Sequence, residues 1–598
     1  MLSRLHRPGF GWWLPPLIGA LLIGGSLVVT GHGDQRELAL VAIYTLVISG
    51  LNFSFGYGGE LAFGQIAMLA AGAYTTAILN VHGHTDILLA LVLSVAAAAV
   101  VGFISGIPSI RLSHWSLAIT SFFLVLLVPS LIQVFESQTG GLIGLVMPES
   151  ATLFGSELEW EGFYIFAMVV ALIWLVVMRN QILSRRGAGL IAMRESPQLA
   201  SSLGLSVYRQ RMYAYIMGSL PAGAAGCLMA QLNGFVSPDT FTLSLAIAVL
   251  AGSVVGGVSS VYGAPLGALI LVLGPLQASA FDRYSLLVYG VFLLLVGVLF
   301  ASGLAGVLRL GTGKLLRRVA PASPVEAALL GDAPALAIPG EQLVVDGIVK
   351  SYGGVRALDG AGIVAEPGQI TAVMGANGAG KTTLLNAVSG FVAVEDGTVE
   401  LGGKPLGGQP AHAVARRGVS RTFQTPLIPR GMTVLEVVVS GRVTAGRVGL
   451  VSTILRLPSF RSAHRADLEA ARAALSFAGL LHLADQDAQS LPLGTRRLLE
   501  VARAVAREPN VVLLDEPAAG LDDVALGELD NLLRRTRDAG ATIVIVEHNV
   551  SFLLGLADQV FVMDLGAVLA SGTSEEIRDH PEVVATYLGR RRPTPEVS

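Results

Sequence analysis

The sequence predicts two unlike halves: an α-helical polytopic membrane domain of eight to ten spans, fused to an α/β domain built around a phosphate-binding loop. Three observations predict this. Hydrophobic residues make up 53% of the 598 residues and charged residues only 14%, against roughly 25% charge in an ordinary soluble protein; the mean hydropathy is +0.65. The charges are unevenly placed: only Asp86 is charged between Leu61 and Ile110, only Asp239 between Met212 and Phe281, and nothing between Tyr284 and Leu308. From about residue 340 the texture becomes that of a soluble α/β protein, and "ITAVMGANGAGKTT" places a Gly-rich loop after an apolar run. A chain of this length exceeds one ordinary domain, and the divisions fall at 1–310 (membrane), 311–342 (linker) and 343–598 (nucleotide).

A bilayer-crossing helix needs about 20 mostly apolar residues. Candidates lie near 10–30, 37–55, 61–80, 87–108, 113–133, 162–178, 212–232, 243–259, 264–281 and 285–305. The start, "MLSRLHRPGFGWWLPPLIGALLIGG", has the basic end and apolar stretch of a secretory signal. It lacks a small-residue cleavage pattern before further spans follow, so it reads as a retained first helix. Basic residues set orientation. The segment 179–211 carries Arg179, Arg185, Arg186, Arg194, Arg209 and Arg211 against Glu195 alone, whereas the loop with Glu149, Glu157, Glu159 and Glu161 has no basic residue. The first is expected in the cytoplasm and the second outside. Arg309, Lys314, Arg317 and Arg318 predict a cytoplasmic exit after the last span. Ten spans satisfy every constraint.

Glycine interrupts two apolar regions, "GYGGE" at 56–60 and "AGSVVGGVSSVYGAPLG" at 251–267. Paired interruptions can mark a transport path; tight helix packing through small residues explains them equally well. Glu60 is the one charge between Glu37 and Asp86. An ionisable group within a membrane invites a functional reading, which a position at the membrane surface would make trivial. Cys227 is the single cysteine, which excludes an intramolecular disulfide, and it reads as a small buried hydrophobe. The stretch "GTGKLLRRVAPASPVEAALLGDAPALAIPGEQ" is Ala-, Pro- and Gly-rich and reads as the linker.

In the second half, "ITAVMG" reads as a buried strand and "TTLLNAVSG" as a helix, the setting the phosphate-loop pattern requires. Gly375, Gly378 and Gly380 let the backbone amides turn inward on phosphate oxygens, beside Asn377 and Thr383, at a helix N-terminus. Lys381 is expected to neutralise the β- and γ-phosphates and Thr382 to ligate Mg²⁺. "NVVLLDEP", residues 510–517, delivers Asp515 toward the Mg²⁺ shell and Glu516 as general base for the attacking water. "ATIVIVEHN" carries His548 outward at the end of a third strand, within reach of the γ-phosphate.

Together these residues resemble the ATP-binding cassette (ABC) ATPases over about 343–590. The resemblance implies that Gln424 of "SRTFQ" senses the γ-phosphate and Mg²⁺, that Tyr352 of "VKSYGG" stacks on adenine, and that Asp522 of "AAGLD" addresses the opposite subunit. The family signature stands here as "LPLGT", Leu491 to Thr495: Gly494 is kept, to meet a partner's γ-phosphate, while Pro492 replaces the usual Ser. The membrane half resembles the permeases of branched-chain amino acid ABC importers, at "LNFSFGYGGELAFGQIAMLAAGAYTTAIL", at "AMRESPQLASSLGLSVYRQRMYAYIMGSLPAGAAGCLMAQLNGFVSPDTF" and at "GGVSSVYGAPLGALIL". Glu60 stands where Gln is usual. The chain therefore looks like a fusion of permease and ATPase, with residues 194–208 where such importers carry a short coupling helix; the arginines there serve topology on the simpler reading.

The resemblance implies ATP and Mg²⁺ as cofactors, a plasma (inner) membrane location with the ATPase cytoplasmic, a second cassette and second permease domain, and an extracytoplasmic solute-binding protein. It implies no nucleic-acid partner, on which a net charge of −3 is silent. The expected cargo is a branched-chain or related hydrophobic amino acid; urea, short amides or other small carboxylates are the alternatives. An exporter, or a membrane-tethered regulatory ATPase that moves nothing, are readings of another class; the many short spans oppose the exporter.

Overall fold

Glycine decides how the membrane half packs. The computed structural model describes residues 31–61, 64–110, 114–278 and 337–584, with scattered positions in 19–25 and 284–308. It divides into two compact units, Met1–Arg194 with Val207–Ser323 and Thr453–Arg456, and Glu195–Ser206 with Pro324–Ser452 and Leu457–Ser598. The main helices of the first unit are α1 (His32–Leu51), α2 (Gln65–Val81), α3 (Ile87–Gly106), α4 (His114–Val134), α5 (Trp160–Ile182), α6 (Arg185–Glu195), then, after residues 196–206, α8 (Val207–Asn233), α9 (Leu243–Gly256) and α10 (Gly263–Ala278). The intervening short helix α7 (Pro197–Ser202) belongs to the second unit.

Helix α8 packs against α1, α2 and α3. A Cβ on Gly50 would lie 2.2 Å from Gly218 O, one on Gly72 2.3 Å from Gly223 O, and one on Gly226 2.2 Å from Leu69 O. The backbones approach through small residues, the usual route where lipid removes the hydrophobic drive between helices. Cys227 is fully buried among them. Asp86, the lone charge of its stretch, caps α3 by accepting from Leu89 N at 2.9 Å.

Each of the eight spans expected between 37 and 281 coincides with a helix. Among the described residues four are long and apolar enough to cross a bilayer (His32–Tyr57, Ile87–Gly106, Trp160–Ile182, Pro238–Gly256), and Gln65–Val81, Ala118–Val134 and Gly263–Pro275 are shorter apolar helices. The expected spans 10–30 and 285–305, most of the linker and the basic exit at 309–318 lie wholly or largely outside the described residues.

The two Gly-interrupted regions meet. Helix α1 continues as a π-helix over Asn52–Tyr57 and then breaks; α9 ends at Gly256 and is followed by Gly257, whose φ is +118°. A Cβ on Gly56 would lie 1.9 Å from Val258 O, and Asn52 Oδ1 accepts from Ser253 Oγ at 2.5 Å. Glu60 is fully buried within the protein, its Oε1 2.7 Å from Arg211 Nε.

The second unit contains two sheets. One pairs β1 (Leu343–Tyr352), β2 (Val355–Ala365), β4 (Asp396–Leu401) and β5 (Lys404–Pro405) in the order β2-β1-β4-β5, all antiparallel. The other holds β3 (Ile370–Gly375), β6 (Val419–Arg421), β7 (Val511–Asp515), β8 (Thr542–Val546), β9 (Gln559–Asp564) and β10 (Ala567–Gly572) in the order β6-β7-β8-β3-β9-β10, parallel except for β10. Strands β7 and β8 are buried at every position, as expected of a parallel sheet covered on both faces. The helices include α11 (Lys381–Val388), α12 (Ala411–Arg416), α13 (Val434–Ser440), α14 (Pro458–Phe477), α15 (Leu493–Val505), α16 (Asp523–Asp538) and α17 (Val550–Leu556). Leu384 and Leu385 of α11 pack with Leu343, Val373, Leu513 and Val546 in one core, each such side chain contributing about 1.5–3 kcal/mol by burial. That packing fixes the start of α11 against the carboxyl ends of β3, β7 and β8, where open parallel sheets place their ligands.

Candidate functional site

Strand β3 ends at Gly375 and α11 begins at Lys381, so residues 376–380 must turn sharply between a buried strand and a helix. Gly378 and Gly380 adopt φ of +88° and +99°, which residues with a Cβ rarely take. A Cβ on Gly375 would lie 2.3 Å from Met563 O, and one on Gly380 2.4 Å from Ala357 O. Asn377 is exposed in the loop; Thr382 is exposed and Thr383 half-buried in the first turn of α11. Lys381 is buried and donates from Nζ to Gly375 O at 2.8 Å and Ala376 O at 2.9 Å. Burial lowers its pKa, while Glu516 and Asp515 pull the other way.

The carboxylates follow from β7. Asp515 Oδ2 accepts from Arg421 Nη2 at 3.0 Å, both side chains buried. Burial raises the Asp515 pKa and Arg421 opposes the rise. Arg421 also donates at 2.7 Å to Asn386 Oδ1 and to Ser389 Oγ, and lies 5.5 Å and 5.4 Å from the ring centres of Phe391 and Phe423. Glu516 has φ +47°, the left-handed region that a non-glycine residue enters at a cost. Its amide donates to Val546 O at 2.8 Å, and its Oε2 accepts from Gln424 Nε2 at 2.7 Å. His548 points outward as expected, its Nδ1 3.8 Å from the same Glu516 oxygen. Beneath it Glu547 is fully buried and accepts from Ala518 N at 2.6 Å and His548 N at 3.1 Å; burial raises its pKa.

The backbone bearing Gln424 is gripped from α15. Arg497 donates to Phe423 O at 2.9 Å and to Gln424 O, Arg503 donates to Leu427 O at 2.7 Å, and buried Glu500 accepts from Leu427 N at 3.0 Å while pairing with Arg503 at 3.2 Å. Gly494 and Asp522 sit in the packing of α15 on α16. A Cβ on Gly494 would lie 2.6 Å from Ala525 Cβ, and Asp522 caps α16 by accepting from Ala525 N at 2.8 Å. Pro492 occupies the N-cap position of α15 with φ −57°, which proline accepts without strain. Tyr352 ends β1 with a half-exposed ring, Lys350 Nζ standing 5.5 Å from its centre.

Thus Lys381, Asp515, Glu516, Gln424 and His548 converge at one sheet edge, while Gly494 and Asp522 form a separate group. Arg421, Glu547, Arg497, Glu500 and Arg503 escaped the sequence reading. The spacing of 497, 500 and 503 on one helical face was a usable signal; nothing in the sequence marks Arg421 as the partner of Asp515.

Within the second unit, Ser196 caps α7, accepting from Gln198 N at 3.2 Å, and the segment after it is held at its end. Arg416 Nε donates to Gly204 O at 2.8 Å, Thr444 Oγ1 to Leu203 O at 3.1 Å, and Arg430 N to Glu195 Oε2 at 3.4 Å. Burial and the neighbouring Arg416 push Arg507 down to about 10. A cavity of about 10 Å³ lies among Leu203, Arg421, Glu500, Arg503 and Arg507, room for one water.

Comparison with known proteins places both halves. The family described as "Branched-chain amino acid transport system / permease component" matches residues 36–297, "ABC transporter" matches 358–519, and "Branched-chain amino acid ATP-binding cassette transporter" matches 567–592. The high-affinity branched-chain amino acid transport ATP-binding protein LivG of Escherichia coli (strain K12) is 39% identical over 248 residues, 41% of this chain and 97% of that protein. BraF of Pseudomonas aeruginosa, of the same description, is 35% identical over 248 residues, again 41% and 97%. A solved nucleotide-free ATP-binding cassette from an ABC transporter is 32% identical over 42% of this chain and 99% of that one, with a TM-score of 0.37.

Proposed function

Since this chain belongs to the branched-chain amino acid ABC transporter family and joins its permease and ATP-binding components in one polypeptide, we propose that it imports branched-chain or related hydrophobic amino acids across the inner membrane, driven by ATP hydrolysis. The observation that carries this reading is the match of a permease over 36–297 and a cassette over 358–519 in the same chain. Residues 1–310 form the permease, 311–342 the linker, and 343–598 the cytoplasmic cassette.

The chemistry follows from the site. The amides of the glycine loop cradle the phosphates, and Lys381 exchanges its two carbonyl partners for β- and γ-phosphate oxygens, with no stronger acceptor to leave behind. Tyr352 stacks on adenine. Glu516 accepts the proton of the attacking water; Gln424, 2.7 Å away, orients the carboxylate, and His548 approaches the γ-phosphate from the other side. The oxygen donors of Thr382, Asp515 and Gln424 suit a hard cation; Mg²⁺ bound there neutralises phosphate charge. Gly494 and Asp522, set apart from this group, serve the ATP of a second cassette, so a second cassette and permease domain complete the machine. A solute-binding protein delivers cargo from outside.

Uptake of labelled leucine into vesicles bearing the full chain and the subunits that purify with it tests the proposal. Glu516→Gln is expected to abolish uptake; unchanged uptake in that variant overturns the reading.

A further inference from the structure

The coupling segment is bracketed in sequence by two arginines, and both grip the same helix break. In the first unit, Arg194 Nη1 donates to Gly56 O and, at 2.9 Å, to Ser259 Oγ. Its stem lies against Gly59, where an added Cβ would stand 2.8 Å from Arg194 Cγ. Arg211 Nε stands 2.7 Å from Glu60 Oε1, with Glu60 fully buried and Arg211 only 9% exposed. Orientation alone requires only that an arginine head reach water or lipid headgroups; here Arg211 is buried and Arg194 half-buried, and both heads are engaged by residues 56–60. Between them, residues 195–206 are held in the second unit through Glu195, Leu203 and Gly204.

The broken stretch is itself one mechanical piece. Gly56 packs on the Val258 carbonyl, Asn52 bonds Ser253, and Arg194 ties Gly56 to Ser259. We propose that Arg194 and the Arg211–Glu60 ion pair are positioning residues that pass displacement of segment 195–206 to the paired helix breaks at 52–60 and 253–259. Glu60 is the acceptor of that linkage rather than a group that meets cargo. A Gln at this position would retain a carbonyl oxygen for Arg211, so the linkage needs an acceptor more than it needs a charge. The inference rests on the transport reading only in taking ATP as the source of displacement.

Hydrogen–deuterium exchange of peptides covering 52–60 and 253–259, in the full chain in nanodiscs with its co-purifying subunits, tests it with and without MgATP. Wild type is expected to change exchange at these peptides by about threefold or more on adding MgATP. Arg194→Met and Glu60→Leu lose that response while ATP hydrolysis stays within about twofold, since neither residue touches the cassette chemistry; Glu60→Gln keeps it. A response absent in wild type, or retained in Arg194→Met, overturns the proposal. If Glu60→Leu fails to fold, Arg194→Met, which leaves the buried pair intact, decides alone. Labelled leucine uptake in the same wild-type preparation reads separately on the cargo: no uptake with a persisting MgATP response discards leucine and keeps the linkage.

Discussion

Gln424 Nε2 donates to Glu516 Oε2 across 2.7 Å, joining the loop after β6 to a residue held at φ +47° at the end of β7. A left-handed non-glycine residue costs about 1–3 kcal/mol and persists only where its surroundings over-determine it. The Val546 carbonyl and the Gln424 amide do so here. Glu516→Gln is therefore expected to keep ATP binding while hydrolysis falls about 10²- to 10⁴-fold, measured by phosphate release. Glu516→Gly should be as inactive yet melt higher, by about 1 kcal/mol of relieved strain.

Arg421→Met removes the cation from a buried pair and leaves Asp515 without it. Breaking such a pair from one side costs about 3–5 kcal/mol. The cassette's thermal transition in the purified chain should drop accordingly, and Arg421→Met with Asp515→Asn should recover most of the loss. Equal instability of single and double variants would show that Arg421 matters for its contacts with Phe391 and Phe423 instead.

Glu547 is an acid whose folded-state pKa is raised by burial. Its contribution to stability is present below the unfolded pKa and is lost as pH rises through the higher folded value. Glu547→Gln has no such loss. The melting temperature of the variant relative to wild type should thus shift in the variant's favour as pH rises from about 4 to 8; a flat difference contradicts the assignment.

Gly494→Val drives a side chain into Ala525, 2.6 Å from where its Cβ must go. Parting α15 from α16 should cost about 1–3 kcal/mol and weaken ATP-dependent pairing of cassettes, read by size exclusion in a Glu516→Gln background. Gly494→Ala, with the same Cβ and no further atoms, should give the milder form of both effects.

Much of this was legible in the sequence because the signals were local. The phosphate loop, the Asp515–Glu516 pair and the outward His548 are each written within one strand and its end. The helices of the membrane half follow from apolar runs, and small residues explain both glycine interruptions, by close packing and at the same time by breaking helices. What was not legible is what joins distant positions. Asp515 takes its cation from Arg421 in another strand, Asn52 reaches Ser253, and Glu60 reaches Arg211. Charged residues read as solvated from composition alone; Glu547, Glu500 and Arg503 are buried because a fully covered sheet and α15 close over them. The break at 58–61 also delayed the second helix to Gln65, a boundary that continuous apolar character concealed.

The coupling of triphosphate to membrane path within one polypeptide is tested most directly by vesicles loaded with the full assembly and given either ATP or a non-hydrolysable analogue. Labelled leucine should accumulate above its outside concentration with ATP and Mg²⁺ alone, and stop with the analogue. Equal accumulation under both conditions would contradict it.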